Sequence, residues 1–371
     1  MSEEFNRIVV FLPNWVGDVV MASPVLVALR QRYPAAHIAH FGRAAALAAA
    51  DGAVWSDETI EASRAGGLLG VLRSARRLRR GRFDMALLLP NSFRCALAAR
   101  LGRIRTRIGY ARDGRGWLLS HAMEPFRDAD GRFVPLPTIE YYIRLAALAG
   151  VTSAPRTMSL GVREPDDHAA AELLAQSGAD AARPLVLINP GASFGPSKMW
   201  ELGRFAAVAD ALIEQRGAQI IINAAPAERA IAAQVALAMR HEPLLSFAGR
   251  DNSLGLLKAL AKRCGLVITG DTGVRHIAAA MGTAVVTLFG STDPVWAQID
   301  YPRERILRVE VPCSPCQRKM CDQPPGPIYH QCMAAISPAM VLEQVLALLD
   351  EGATHNSVVR VPEASHQQER L

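Results

Sequence analysis

The sequence has few lysines and few aromatic side chains. Only 4 of its 41 basic residues are Lys, and Phe, Trp and Tyr make up 6% of its 371 residues. Proteins that bind single-stranded nucleic acid stack its bases on aromatic rings, and the sequence contains no DNA- or RNA-binding motif. We therefore expect no nucleic-acid partner.

Long apolar runs and targeting signals are also missing. No segment approaches the roughly 18 consecutive apolar residues that a membrane-spanning helix needs. The first residues, MSEEFNRIVVFL, are acidic and pass straight into an apolar run, whereas a secretory signal starts with basic residues. These absences favour a cytoplasmic protein.

The positive charge belongs to the first part of the chain. Residues 1–150 contain 21 Arg, no Lys and 13 acidic residues, whereas the remainder is slightly acidic. A field of this sign suits an anionic partner, such as a phosphorylated small molecule, an acidic glycolipid or a membrane surface. A non-catalytic anion-binding protein is one function that this field alone would support.

Short β-branched runs alternate with helical segments along the chain, which is typical of doubly wound α/β sheets. The predicted strands begin at Arg7, His37, Phe83, Arg105, Leu185, Gln219, Leu266 and Ala284. A segment rich in Pro, Ala, Asp and Gly follows residue 151. We predict two Rossmann-like domains, at 1–178 and 179–350, and a poorly ordered polar tail at 351–371. No G-x-G-x-x-G follows any predicted strand, which argues against a dinucleotide-dependent dehydrogenase.

The turn after the first predicted strand carries an acidic residue. It reads Pro-Asn-Trp-Val-Gly-Asp and ends at Asp18, where the next helix begins. An acid at this position can simply stabilise the helix dipole. It can also act as a general base, because the turn opens at the edge of the sheet where ligands bind.

Two further Arg-bearing turns predict an anion pocket in the first domain. We expect Asn91, Arg94, Arg105 and Arg107 to line it, since Arg suits bidentate contact with phosphate or carboxylate. Ordinary surface arginines are the alternative. The segment GGLLGVLRSARRLRRGR, at 66–82, follows the second predicted strand. Its pattern predicts a basic amphipathic helix that lies either on an anionic membrane or in solvent.

The second half centres on GLVITGDTGVRHIAAAMG at 265–282, a buried strand, a polar turn and a helix. Asp271 or Thr272 can cap the helix, and the free N–H groups near Gly273 can bind phosphate. His276 lies one turn further along. A capped structural turn with a surface histidine is the alternative interpretation.

Two other turns of the second half should meet this one. NPGASFGPSKMW contains Ser193 and Lys198, and a rare lysine at a ligand-side loop indicates a point charge for a phosphate oxygen. Glu228 follows the next strand, where a carboxylate can accept hydrogen bonds from ribose hydroxyls. These turns predict separate partners for the phosphate, the sugar and the base of a nucleotide.

Seven stretches, in this order, resemble the ADP-heptose:lipopolysaccharide heptosyltransferase family, and within it heptosyltransferase II. They are NWVGDVVMASPVL, LLLPNSFRCAL, RTRIGY, NPGASFGPSKMW, GDTGVRHIAAAMG, LFGSTDP and PCSPCQRKMC with HQCM. The resemblance implies a GT-B fold with an N-terminal acceptor domain and a C-terminal nucleotide-sugar domain. It also implies inverting transfer of L-glycero-D-manno-heptose from ADP-heptose to the inner core of lipopolysaccharide.

The resemblance also suggests roles for the candidate residues. Asp18 lies at the Gly-Asp of the family and would be the base. Lys198 and the turn at 271–273 would stabilise the departing diphosphate without a metal, and His276 would orient that turn or touch a phosphate. Glu228 matches an acidic donor-site position, although Ala224 and Ala225 stand where family members often have Gly. A sugar-nucleotide epimerase on the same two-domain plan is the alternative enzyme.

Four of the six cysteines are clustered near the end of the second domain. They are Cys313, Cys316, Cys321 and Cys332, with His330 close by. Four cysteines can hold a structural zinc, but the spacings of four and ten residues fit no standard zinc motif. Reduced thiols in a Pro-rich loop are therefore the expectation.

Overall fold

The computed structural model describes residues 4–356, so most of the predicted polar tail lies outside the described residues. The N-terminal half contributes these strands: β1 (Arg7–Phe11), β2 (His37–Gly42), β3 (Glu58–Glu61), β4 (Met85–Leu88), β5 (Thr106–Tyr110) and β6 (His121–Met123). Its helices are α1 (Val16–Arg32), α2 (Ala44–Ala50), α3 (Gly67–Gly81), α4 (Phe93–Leu101) and α5 (Thr138–Ala147).

The remaining strands are β7 (Leu185–Asn189), β8 (Gln219–Ile222), β9 (Leu245–Ser246), β10 (Leu266–Gly270), β11 (Ala284–Phe289) and β12 (Glu304–Arg308). The remaining helices are α6 (Glu164–Gln176), α7 (Leu202–Arg216), α8 (Arg229–Ala238), α9 (Leu254–Arg263), α10 (Gly273–Ala280), α11 (Gln331–Ala334) and α12 (Pro338–Asn356). Among the helices of residues 4–356, none has both the length and the hydropathy to cross a membrane.

The strands form two parallel sheets of six, with the orders β3-β2-β1-β4-β5-β6 and β12-β11-β10-β7-β8-β9. The central strands are apolar and buried on both faces, as expected of parallel sheets that are covered by helices on two sides. The prediction of two doubly wound α/β domains is thus confirmed.

Both sheets reverse their strand order at the centre, between β1 and β4 in the first and between β7 and β10 in the second. Ligands of open α/β sheets bind at this reversal, outside the carboxyl ends of the strands. The turns that carry Asp18, Lys198 and Asp271 follow β1, β7 and β10. The topology therefore places the turns with these candidate residues at the centre of the ligand-binding edge of each sheet.

Two helices near the predicted domain limits differ from the expectation. Helix α6 was assigned to the first domain, but its Ala170 and Leu174 belong to the apolar core of the second sheet and it packs on α9. Helix α12 packs on α7 and on the strands of the second sheet, and it runs to Asn356, beyond the tail start predicted at 351. Burial of apolar side chains, which composition does not reveal, explains the difference for α6.

A buried lysine joins the two domains on one side of the cleft. Lys258 of α9 is 1% exposed, and its Nζ lies 3.3, 3.5 and 2.5 Å from the carbonyl oxygens of Ala48, Ala49 and Asp51. These carbonyls belong to the C-terminal end of α2, whose negative dipole attracts a cation. Burial lowers the pKa of Lys258.

Candidate active site

Two helix N-termini from different domains meet at the cleft. A Cβ added to Gly17 of α1 would lie 2.9 Å from Cδ2 of His276 on α10, and one added to Gly273 would lie 3.1 Å from Cβ of Val16. Because these distances are shorter than ordinary carbon contacts, glycine is needed at both positions for the helices to approach so closely. The contact brings Asp18 to the turn that precedes α10.

Asp18 lies half-buried in the first turn of α1. Within the described residues, its carboxylate makes no hydrogen bond. Burial, and then the charge of Asp271, raises the pKa of Asp18 from 3.8 to about 6, while Lys198 acts in the opposite direction. A carboxylate with a pKa close to neutrality and uncommitted oxygens suits general-base chemistry.

Lys198 and Asp271 form an ion pair on the other side of the cleft. Lys198 Nζ lies 2.6 Å from Asp271 Oδ2 and 4.8 Å from the centre of the Phe194 ring. Thr292 also donates to Asp271, at 2.8 Å. Burial alone would raise the pKa of Asp271, but the Lys198 ammonium holds that pKa below 3.8. Asp271 therefore fixes the position of the lysine that faces Asp18.

His276 is a buried residue and not the surface histidine of the alternative interpretation. It is 3% exposed, and its ring packs against Gly17. Burial, assisted by Arg275, lowers its pKa to about 3, so the imidazole is neutral at physiological pH. Its Nδ1 has no hydrogen-bond partner among residues 4–356. The histidine thus supports the contact between α1 and α10.

A cavity of about 280 Å³ adjoins this contact on the side of the second domain. Its lining includes four predicted donor-site residues, Ser193, Glu228, Thr272 and Gly273, together with apolar side chains of α9 and α10. Thr272 also caps α10 by accepting from the Val274 N–H at 3.3 Å. Gly191 makes room for Glu228, because an added Cβ would lie 2.3 Å from Glu228 Oε2. The size and lining suit a nucleoside.

A ladder of amides along this cavity was not predicted from the sequence. Asn252 donates to Asn223 at 2.6 Å, Asn223 donates to Asn189 at 2.7 Å, and Asn189 donates to Thr269 at 3.2 Å. Asn189 is the last residue of β7 and Asn223 directly follows β8, and these positions at strand ends could have marked them. Asn252 follows no long strand and carried no such signal.

The first domain has its own cavity, of about 600 Å³, at the carboxyl ends of β1, β2 and β3. Arg43, Arg64 and Arg94 line it, and of these only Arg94 was predicted. Arg94 donates to the carbonyl oxygen of Gly67 at 3.3 Å. Glu61 lines the same cavity and pairs with Arg64 at 3.0 Å, but three guanidinium groups against one carboxylate leave a net positive charge that suits an anionic ligand.

The prediction of one pocket shared by Asn91, Arg94, Arg105 and Arg107 is wrong. Arg105 and Arg107 lie at the start of β5, which is the opposite edge of the sheet from Arg94. The Arg107 guanidinium is bound by the carbonyls of Leu118 and Ile104, at 2.7 and 2.6 Å. Residues that precede a parallel strand lie at its amino end, away from the cleft. Asn91 lies at the correct edge, but its Oδ1 accepts from Tyr141 at 3.1 Å and Arg115 at 3.3 Å.

The cysteine-rich loop supports the loop that carries Lys198. The Ser197 N–H donates to the Lys319 carbonyl at 3.1 Å, and His330 Nε2 lies 2.9 Å from the Ser197 carbonyl oxygen. All six cysteines are unbridged. Among the described residues, no three His, Cys, Asp or Glu side chains are placed to share a metal ion. The loop therefore contributes to the site by positioning Lys198.

Comparison with known proteins identifies the family. The model of glycosyltransferase family 9 (heptosyltransferase) matches residues 71–325. The chain is 28% identical over 355 residues to lipopolysaccharide heptosyltransferase 2 of Salmonella typhimurium, covering 93% of this chain and 99% of that one. The solved ADP-heptose heptosyltransferase II of E. coli is 26% identical, with a TM-score of 0.76 over 94% of this chain and 99% of that one.

A second solved structure, at 15% identity, shares the fold. It is E. coli heptosyltransferase WaaC solved with ADP-2-deoxy-2-fluoro heptose, with a TM-score of 0.67 over 92% of this chain and 99% of that one. The two-domain arrangement is the predicted GT-B fold, and the chain belongs to glycosyltransferase family 9, the heptosyltransferase family.

Proposed function

We propose that this protein is an inverting glycosyltransferase that moves L-glycero-D-manno-heptose from ADP-heptose to the inner core of lipopolysaccharide. The observation that carries the proposal is the position of Asp18, a carboxylate of the first domain that faces the Lys198–Asp271 pair of the second. A base and a cation on opposite sides of a cleft are what displacement at an anomeric carbon requires.

The donor occupies the second domain in this proposal. The cavity of about 280 Å³ receives the nucleoside, and Glu228 accepts hydrogen bonds from its ribose hydroxyls. The diphosphate then lies between the nucleoside and Asp18, beside Lys198 and the N-terminus of α10. The WaaC structure with a fluorinated ADP-heptose supports this donor class, and the curated relatives named for lipopolysaccharide support the acceptor.

The reaction follows from these positions. Asp18 takes the proton of an acceptor hydroxyl, whose oxygen forms a bond to the anomeric carbon. The bond from that carbon to the diphosphate breaks on the opposite face, so the configuration inverts, and ADP leaves with the electron pair. Lys198 stabilises the charge that develops on ADP, a role that a divalent metal has in other enzymes, and the proposal includes no metal cofactor.

The acceptor occupies the first domain. Arg43, Arg64 and Arg94 at the cavity of about 600 Å³ suit the phosphate and carboxylate groups of an inner-core acceptor. Because lipopolysaccharide carries acyl chains, we place the enzyme at the cytoplasmic face of the inner membrane, in peripheral contact with it.

Acceptor-dependent ADP release tests the proposal. The protein is incubated with ADP-heptose and with lipopolysaccharide whose inner core lacks the heptose that the enzyme would add. The anomeric configuration of the product is determined by NMR. Release of ADP that requires the acceptor, with inversion, is the expected result. Conversion of ADP-heptose without acceptor would indicate an epimerase, and binding without turnover would indicate an anion-binding protein.

Lys198→Ala is expected to weaken ADP-heptose binding by about 10- to 100-fold, because it removes a charge-assisted contact to the diphosphate. Isothermal titration with ADP measures the effect. Lys262→Ala is the matched control, since Lys262 is exposed at the end of α9, away from the cavity. An ADP affinity equal to that of the wild type would remove Lys198 from the donor site.

The pH dependence of transfer should report Asp18. A base with a pKa of about 6 must be ionised to accept a proton, so kcat/KM should rise about tenfold per pH unit below 6 and level off above it. Initial rates between pH 4.5 and about 9, at constant ionic strength, measure the profile. A profile that falls as the pH rises through 6 would contradict a base role for Asp18.

A further inference from the structure

The outward face of α3 is apolar at its first turn. Gly70, Val71 and Leu78 face the protein interior, whereas Leu68 and Leu69 are 64% and 54% exposed. Leu72, on the next turn, is 49% exposed. Exposed leucines are ordinary when scattered, but a contiguous group marks a surface that contacts an apolar partner.

Two exposed aromatic rings extend this surface. Phe93 begins α4, and Trp117 follows β5 with 70% of its surface exposed, and their ring centres are 6.2 Å apart. The hydrogen bond from Arg94 to the Gly67 carbonyl ties the start of α4 to the start of α3. We define the apolar rim as Leu68, Leu69, Leu72, Phe93 and Trp117.

Helix α3 and the residues next to it also carry a dense positive charge. Residues 64–82 contain seven arginines and no acidic residue. Five of the seven, four of them on α3, are exposed and form no ion pair or side-chain hydrogen bond within residues 4–356. We define the basic face as the four on α3, Arg73, Arg76, Arg79 and Arg80. Because no side chain of the described residues pairs with these arginines, the helix is suited to contact an external polyanion.

The apolar rim lies next to the cavity of the first domain. Gly70 and Val71, on the inner side of α3, line that cavity, and so does Arg94 at the start of α4. The outer side of the same helix forms the rim. A surface that contacts the rim would therefore lie against the mouth of the cavity that the proposed function gives to the acceptor.

We propose that the apolar rim and the basic face dock the first domain on an anionic phospholipid bilayer. The leucines and Trp117 enter the interface between headgroups and acyl chains, where Trp is favoured, and the basic face contacts lipid phosphates. The charge selects a bilayer over a second copy of this chain, because two copies would place four unpaired arginines against four others. An acceptor anchored in the bilayer can then enter the cavity of the first domain directly from the membrane surface. This part of the inference rests on the proposed function.

Vesicle flotation tests the docking surface. The protein is expected to float with phosphatidylcholine vesicles that contain phosphatidylglycerol, at least tenfold more than with phosphatidylcholine alone, and to be released by high salt. Leu68→Ser combined with Leu69→Ser, and separately Arg76→Gln combined with Arg80→Gln, should each reduce flotation about tenfold. The matched controls are Leu237→Ser on α8, which is 86% exposed, and Arg250→Gln, an exposed residue of the second domain.

Two acceptors separate this inference from the proposed function. The rim and basic-face variants should transfer heptose to a deacylated acceptor in solution as fast as the wild type does, but more slowly to acceptor embedded in anionic vesicles. Flotation that the variants do not reduce would overturn the docking surface and leave the proposed function intact. If the wild type elutes as a dimer in size-exclusion chromatography and the rim variants elute as monomers, with flotation unchanged, the rim would be the contact with a second copy of the chain.

Discussion

Asp18→Asn is expected to lower kcat for heptose transfer by about 10²- to 10⁴-fold, while the affinity for ADP stays within about twofold of the wild-type value. The amide keeps the shape of the side chain but cannot accept the proton of the acceptor hydroxyl. Asp18 belongs to the first domain, so the nucleotide cavity is unaffected. Steady-state rates at saturating donor and acceptor, with titration of ADP, measure the two effects.

The stability of this variant supplies its control. The raised pKa means that ionised Asp18 costs folding free energy: the cost is absent below pH 3.8, grows as the pH rises towards 6, and is fully present above it. Asp18→Asn removes this cost, so its melting temperature at pH 8 should equal or exceed that of the wild type. A rate loss with a lower melting temperature would indicate misfolding, and a wild-type rate would exclude Asp18 as the base.

Arg275→Met should produce the largest loss of stability, about 3–5 kcal/mol in the free energy of unfolding. Arg275 lies in the first turn of α10 and is fully buried, and its Nε and Nη2 lie 2.6 and 2.9 Å from the carboxylate oxygens of Glu304. Thr287 donates to the same carboxylate at 2.6 Å. Without the guanidinium, the Glu304 carboxylate would be buried without its counter-ion. Urea denaturation followed by circular dichroism measures the loss.

Two further variants identify the cause. Arg216→Met removes an exposed ion pair with Asp350 and should cost no more than about 1 kcal/mol. Combining Arg275→Met with Glu304→Leu removes both buried charges and should restore part of the stability. If Arg275→Met and Arg216→Met lowered the free energy of unfolding equally, the loss in Arg275→Met could not be attributed to a buried Glu304 carboxylate without its counter-ion.

The positions of Asp18, Lys198 and Asp271 could be predicted because each follows a strand whose apolar pattern is unmistakable. In a parallel sheet, chain direction alone then places their turns at one edge. The same rule, applied without regard to which end of the strand a residue occupies, misplaced Arg105 and Arg107.

Other parts of the site depend on contacts between distant segments. The burial of His276 results from α1 packing on α10 across the domain boundary, and no periodicity within either helix indicates that contact. Arg43 reaches the first cavity from the turn after β2, and nothing near it in sequence distinguished it from other arginines. Asn252 depends on the amide of Asn223 for its position.

The lysine that links α9 to α2 limits how the enzyme can move. Separating α9 from α2 would break the hydrogen bonds from Lys258 to the carbonyls of Ala48, Ala49 and Asp51, so this contact resists opening of the cleft on that side. Opening of the cleft costs less where the α9–α2 contact stays closed.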